Sequence, residues 1–360
     1  MPKQRKAAEI LRGIKDGLRV TGIGSLPFAE ADEACELILE SCPQIPYVPQ
    51  LIKRDPRENM FLQFSENLPC FFADCEKKQV LFDDTQDREK RLSEFYDYIT
   101  QNCYDYFRIS PEHTKGFYCL LEKCKKKKNL FIKTQVTGPF TYLLSVAKKD
   151  RQSLIFDNEF AEAITLGLSM KGLWQVQEIR KAGKIPILFF DEPSLWGLGS
   201  AYMPVSDERV AFFLDSLISF IKERDKDLLL GLHCCGNTDW RMVFDSGVDI
   251  VSFDAYGFGD KLVFYPQEIK RFLQGGGFIA FGIVPTSEYK EGTTEEEMCD
   301  KFISVLDRFE EKGISKEFLL SNAIFTPACG MGPLPQRDAE RVLKLTASLA
   351  KQIQDKYIEV

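Results

Sequence analysis

The sequence predicts one α/β domain, a (β/α)8 TIM barrel with a helical insertion after its second strand. From Asn129 onward, short and nearly continuously apolar runs alternate with amphipathic stretches. Strands buried on both faces read this way, and repeated strand–helix units give parallel sheets. Residues capable of chemistry also stand directly after nearly every run. One site fed by many strand ends is what a closed barrel provides, whereas an open doubly wound sheet gathers its ligands at a switch point. The 360 residues are treated as one domain, 1–360, since such barrels run past ~250 residues as a single unit.

Taken in order, residues 1–19 are basic, lack the apolar core of a signal peptide and read as a solvated helix. A first strand is expected over 18–24, a helix from about Glu30, and a second strand over 45–50. The segment 56–127 breaks the repeat. It carries Phe61, Phe64, Phe71 and Phe72, a polar turn at Asp83-Asp84-Thr85 and then two helices. It is either an insertion over the barrel mouth or an extra helical layer with no active part. Six further strands are expected over 130–136, 185–190, 228–233, 249–253, 278–284 and 318–325. Between them, segments such as 207–224 and 294–312 repeat apolar residues at helical spacing.

Composition narrows the function. With 44% hydrophobic and 28% charged residues the chain reads as soluble and globular. No apolar run approaches the ~18 residues of a membrane span. The net charge is −7, and the one dense basic run, at 125–128, ends an amphipathic helix whose dipole it complements. Nucleic-acid binding is therefore not expected. The 11 cysteines include Cys35, Cys42, Cys119, Cys124 and Cys299 within helices. With no export signal they are expected to be reduced thiols in a cytoplasm, mostly acting as small buried hydrophobes.

The strongest local signal is Gly231-Leu232-His233-Cys234-Cys235-Gly236-Asn237, which holds one of only two histidines. In extended chain, residues i and i+2 point to the same side, so His233 and Cys235 can face one ion while Cys234 turns away. Zinc takes imidazole nitrogen and thiolate sulfur at ~2.0 to 2.3 Å. A third soft ligand, Cys329, lies in Thr326-Pro327-Ala328-Cys329-Gly330-Met331-Gly332 after the last strand. In a closed barrel the fifth and eighth strands end on the same rim, and the flanking glycines let the backbone come close. Asp254, after the sixth strand, is either an oxygen ligand, a partner to one, or the cap of the next helix. The bland alternative is a packed histidine–cysteine pair and an incidental Cys329.

This donor set suits thiol chemistry. The thiolate is the nucleophile, and a free thiol with a pKa of about 8.5 is only slightly ionised at neutral pH. Coordination raises that fraction more than tenfold, by about the ratio of those states. Structural zinc sites favour short C-x₂-C knuckles, whereas these ligands come from distant strand ends. Other strand ends form a small-molecule cradle. Asp191-Glu192-Pro193 offers carboxylates to an ammonium, and Gly22-Ile23-Gly24-Ser25 offers amides and a hydroxyl to a carboxylate. No dinucleotide or phosphate-loop fingerprint is present.

These pieces occur together in a known family. Thr21-Gly22-Ile23-Gly24-Ser25-Leu26-Pro27, Val136-Thr137-Gly138-Pro139, Asp191-Glu192-Pro193, His233-Cys234-Cys235-Gly236 and Pro327-Ala328-Cys329-Gly330 resemble the catalytic barrel of cobalamin-independent methionine synthase. Its superfamily also includes uroporphyrinogen decarboxylase and zinc-dependent corrinoid:coenzyme M methyltransferases, to which Cys235-Gly236-Asn237 is closer. The resemblance implies a zinc-dependent methyltransferase with His233, Cys235 and Cys329 as ligands and Asp254 where the family has a glutamate. No catalytic residue is implied beyond the zinc site. Ile23, Gly24 and Ser25 would meet the carboxylate of homocysteine, and Asp191 its ammonium. A second ammonium ligand of the family aligns with Pro56, leaving Glu58 as a substitute.

One departure bears on the methyl donor. The folate-using enzyme has an aspartate and a histidine after the seventh strand, where this chain reads Gly282-Ile283-Val284-Pro285-Thr286-Ser287. Transfer from a folate amine needs a general acid. Transfer from a methyl-corrinoid does not. That, and a single barrel where the folate enzyme has two, points to a methyl-corrinoid donor carried by a partner protein. The alternatives are coenzyme M or another thiol as acceptor, a non-catalytic zinc protein, or a metal-free decarboxylase. The last would want clustered arginines that no strand end supplies.

Overall fold

The computed structural model describes residues 4–14, 19–85, 87–148, 152–198, 203, 205–286 and 294–357. Among the described residues there are eight strands. These are β1 Phe71–Asp74, β2 Gln79–Phe82, β3 Phe131–Thr137, β4 Ile185–Asp191, β5 Leu229–Cys234, β6 Ile250–Phe253, β7 Phe278–Val284 and β8 Ala323–Pro327. Strands β3 to β8 pair in chain order, all parallel, as a curled half-barrel of six strands surrounded by helices. Strands β1 and β2 form a separate antiparallel hairpin.

The six later expected strands are present, and one has shifted. The run 318–325 begins as helix Lys316–Ser321, because the Ser315 hydroxyl accepts from Phe318 N at 3.3 Å and caps it. Strand β8 starts only at Ala323. The two strands expected near the N-terminus are not ladders, and Leu18 lies outside the described residues. They make isolated parallel bridges, Val20 to Phe325, Ser25 to Gln50 and Tyr47 to Lys133. Each bridge is real in hydrogen-bond terms. Thr21 N donates to Phe325 O at 3.0 Å, Gln50 N to Gly24 O at 3.0 Å, and Val48 N to Lys133 O at 2.9 Å. Pro46 and Pro49 have no N–H to extend the ladder.

Alternation along the strands divides the core in two. Phe131, Ile187, Leu229, Ile250, Phe278 and Ile324 point one way and form an inner cluster, which Leu11 of helix Gln4–Arg12 joins. Leu188, Phe190, Leu230, Leu232, Val251 and Phe253 point the other way, into the larger cluster beneath the helices. An edge-to-face chain Trp240–Phe253–Phe281–Phe302–Phe325, with centroids 5.3 to 5.8 Å apart, packs that outer face. Towards the C-terminal ends the inward rows turn polar. Lys133, Gln135, Thr137, Asp191, His233, Ser252 and Thr326 are all buried there.

The 56–127 segment holds the hairpin and the two expected helices, Arg88–Thr100 and Lys115–Cys124. Phe71 packs on Tyr142 at 5.9 Å and Phe82 on Phe160 at 4.7 Å, which anchors it to helices Pro139–Ser145 and Asn158–Lys181. Its early part touches a strand end, where Thr137 Oγ1 donates to Met60 O at 2.5 Å. Among the described residues no helix is long and apolar enough to cross a membrane.

Candidate metal centre

Strand β5 carries His233 inward beside Asp191 of β4 and Ser252 of β6, its register neighbours. The ligand atoms of His233, Cys235 and Cys329 all lie within 4.8 Å of one another. His233 is buried and the two cysteines are partly exposed. Its Nδ1 shares a 3.0 Å hydrogen bond with Ser252 Oγ, while its buried Nε2 has no partner. A metal-binding histidine is normally held in this way, one nitrogen anchored and the other bare. Buried polar atoms are otherwise almost always satisfied.

The neighbouring Cys234 points into the outer cluster, with Sγ 3.6 Å from Gly236 O, and burial pushes its thiol up to about 12. Cys329 is delivered by a loop that folds back onto the first bridged segment. Ala328 N donates to Val284 O at 2.8 Å, Met331 N to Ser25 O at 2.9 Å and Gly332 N to Ser25 Oγ at 3.2 Å. A Cβ on Gly330 would sit 2.2 Å from Ser25 Oγ, so a larger residue there would displace the Ser25 hydroxyl from the loop.

The two thiols are electrostatically unequal. The hydrogen bond with Cys329 holds Cys235 below the ordinary thiol value against the opposing effect of burial. The same contact, with burial, pushes Cys329 up, and the neighbouring His233 opposes it. One sulfur thus ionises at the other's expense. A cation between them would remove that conflict.

Asp191 is buried with Oδ1 unpartnered. Burial raises its carboxyl, and the charges of Lys133 and His233 oppose that. Its motif neighbour does a different job. Glu192 accepts from Phe140 N at 2.9 Å and Thr141 N at 2.7 Å, holding the start of helix Pro139–Ser145, and burial pushes it up to about 7. A Cβ on Gly138 would fall 2.1 Å from that carboxylate.

Lys133 was not anticipated. Its ammonium, deep among the inward residues, bonds Ile23 O and reaches Gln135 Oε1 at 3.3 Å and the Phe189 ring at 4.8 Å. Burial pulls it down to about 8. A lysine sharing a strand face with Gln135 and Thr137, in a strand expected to be buried on both sides, is the signal in the sequence.

The other expected residues are placed as follows. Ile23 and Gly24 present carbonyls to Lys133 and Gln50, and the Ser25 hydroxyl lies against the Cys329 loop. Asp254 caps helix Ala255–Leu262, Oδ1 accepting from Gly257 N at 2.7 Å, and lies outside the group of three. Burial raises its carboxyl and His233 opposes this, so it is a near neighbour of the centre. Glu58 does not join the site. Its buried carboxylate accepts from Leu51 N at 2.9 Å and Lys115 N at 3.3 Å and pairs with Arg54 Nε at 2.5 Å. Those contacts give Glu58 a structural task, holding Leu51 and Arg54 to the start of helix Lys115–Cys124. In the stretch 282–287, which ends β7 and follows it, residues 282–286 are buried, and Ser287 lies outside the described residues. A cleft of about 590 Å³, walled by Trp196, Leu198, Phe258 and Tyr265, opens at Cys235.

No family model and no curated protein sequence matches the chain. Solved structures do. A protein described as a vitamin-B12 independent methionine synthase from Listeria monocytogenes aligns with a TM-score of 0.55 and 15% identity, over 92% of this chain and 96% of its own. A B12-independent methionine synthase from Shewanella sp. W3-18-1, in complex with selenomethionine, aligns with a TM-score of 0.57 and 16% identity, over 94% and 98%. The relation to these methionine synthase-like proteins is one of fold. A broad specificity endoglucanase from Clostridium acetobutylicum, at a TM-score of 0.40, is too distant to bear on the site.

Proposed function

We propose that the chain is a zinc-dependent methyltransferase acting on a small thiol, homocysteine foremost, and that segments 20–25 and 46–50 complete an eight-staved barrel around it. The observation that carries this is the convergence of His233, Cys235 and Cys329 with His233 Nε2 buried and bare. Two sulfurs and an imidazole form a soft donor set, and three protein ligands leave a fourth position for substrate. Zinc there would supply the positive charge that lets a substrate thiol ionise near neutral pH.

The chain's own groups supply the rest. Ser252 fixes the imidazole ring. Asp191, one strand from His233 and with a free oxygen, accepts from the substrate ammonium. The 23–25 segment, held by Lys133 and the Cys329 loop, receives the substrate carboxylate. Coenzyme M has no ammonium, so Asp191 favours an amino-acid thiol over it. The selenomethionine held by the Shewanella protein, an amino acid with a methylated chalcogen, supports the same choice.

For the donor we favour a methyl-corrinoid brought by a partner protein. Residues 282–286 carry no acid or histidine to protonate a folate amine. The cleft beside Cys235 has an exposed apolar wall in Trp196 for an incoming donor. The test is metal analysis followed by X-ray absorption at the zinc edge as thiols are added. An added sulfur scatterer with homocysteine, and none with coenzyme M, is expected. No change with any thiol overturns the reading, and methyl transfer from methyltetrahydrofolate but not methylcobalamin overturns the donor.

A further inference from the structure

A second pair of thiols meets in a different part of the molecule. Cys35 lies on helix Ala31–Ser41 and Cys119 on helix Lys115–Cys124. Each rests against the residue three positions before the other. Cys35 Sγ is 3.7 Å from Gly116 O, and Cys119 Sγ is 3.8 Å from Asp32 Oδ1. Residues three apart share a helix face, so this reciprocal pattern puts both sulfurs at one crossing. The thiols are in hydrogen-bond contact there. Lys123 clamps the same two helices through Asp32 at 3.0 Å and Glu36 at 2.9 Å. Cys35 is fully buried, whereas Cys119 is partly exposed.

We propose that Cys35 and Cys119 form an oxidation site, at which a hydroperoxide converts the pair into a disulfide stapling the two helices. A disulfide demands this close approach of two sulfurs, which distant cysteines cannot achieve without backbone movement. The chemical asymmetry sets the order. The hydrogen bond with Cys35 holds Cys119 below the ordinary thiol value, with Lys123 assisting and burial and Asp32 opposing, while Cys35 is pushed up. Cys119 is therefore the thiolate that meets the oxidant, and Cys35 resolves it.

The steps balance. Cys119 sulfur attacks the terminal peroxide oxygen, the O–O bond breaks, and the departing alkoxide leaves as an alcohol with the proton that Cys119 gave up. Cys119 is then a sulfenic acid. Cys35 sulfur attacks it, the S–O bond breaks, and hydroxide leaves as water with the Cys35 proton. Two thiols lose two electrons and the peroxide gains them. Nothing in the sequence of steps involves His233, Cys235 or Cys329.

The test treats the reduced, zinc-loaded full chain with equimolar hydrogen peroxide, alkylates remaining thiols and digests without reductant. A peptide pair joined through Cys35 and Cys119, two hydrogens lighter than the reduced peptides and separable by dithiothreitol, is expected. With Cys35→Ala, Cys119 should stop as a dimedone-reactive sulfenic acid. With Cys119→Ser, Cys35 should stay unlinked and unoxidised. The oxidised wild type should melt at a higher temperature than the reduced protein, because the bond closes a long loop of chain. Cys119 passing to sulfinic acid in the wild type while Cys35 remains reduced would overturn the proposal, as would identical Cys119 products in wild type and Cys35→Ala.

Discussion

Replacing Ser252 with alanine removes the hydroxyl that lies 3.0 Å from His233 Nδ1 and leaves that buried nitrogen without its partner. Two consequences follow from the geometry. Folding loses a buried hydrogen bond and strands an imidazole nitrogen, about 1–3 kcal/mol. The ring is also freed to rotate, so Nε2 no longer stays within reach of both sulfurs. Loss of the group that orients a ligating histidine weakens metal binding by roughly 10- to 100-fold, which corresponds to about 1.4–2.7 kcal/mol. The assay is zinc competition against a chromophoric chelator at fixed pH, with far-UV circular dichroism to confirm that the variant is folded. A Kd within twofold of wild type, in a folded variant, would refute the idea that Ser252 holds the ring for a metal.

Two further expectations separate neighbours of the centre from its members. Asp254→Ala should cost about 0.5–2 kcal/mol through loss of the helix cap on Gly257 N, measured by chemical denaturation, while zinc stoichiometry holds; loss of the zinc would make Asp254 a ligand. Lys133 titrates at about 8 in the fold against an ordinary 10.5. Between those values the unfolded chain keeps a proton the folded chain has shed, so this group makes stability rise with pH across that window and fall again on acidification. Lys133→Met should remove that part of the slope in denaturation curves taken at successive pH values. Lys171, also pulled down to about 8 by burial, keeps its own share in both proteins. An unchanged slope would mean that Lys133 is not a buried cation.

The repeat from residue 129 onward was legible because parallel strands covered by helices must be apolar on both faces. The six strands β3 to β8 follow from it. The segments 20–25 and 46–50 make isolated bridges rather than ladders, and Pro46 and Pro49, which lack an N–H, cannot extend the pairing of the second. Likewise Phe318 and Leu319 carry strand-like apolar side chains, yet a serine cap at 315 draws them into a helix.

At the site, extended-chain alternation alone placed His233 opposite to Cys234, because side-chain direction in a strand is set by covalent geometry. The fate of each acidic group could not be read this way. Glu58 is held by Leu51, Arg54 and Lys115, Glu192 by Phe140 and Thr141, and one oxygen of Asp254 by Gly257, whereas the buried Oδ1 of Asp191 has no partner. Four similar side chains at or near strand ends have different tasks because different partners reach them. The partners Lys115, Phe140 and Thr141, like the pairings of Lys133 with Ile23 and of Cys35 with Cys119, join parts of the chain far apart in sequence. The order of residues determined which groups could face inward. Only the folded packing decided which of them are satisfied and which are left to bind.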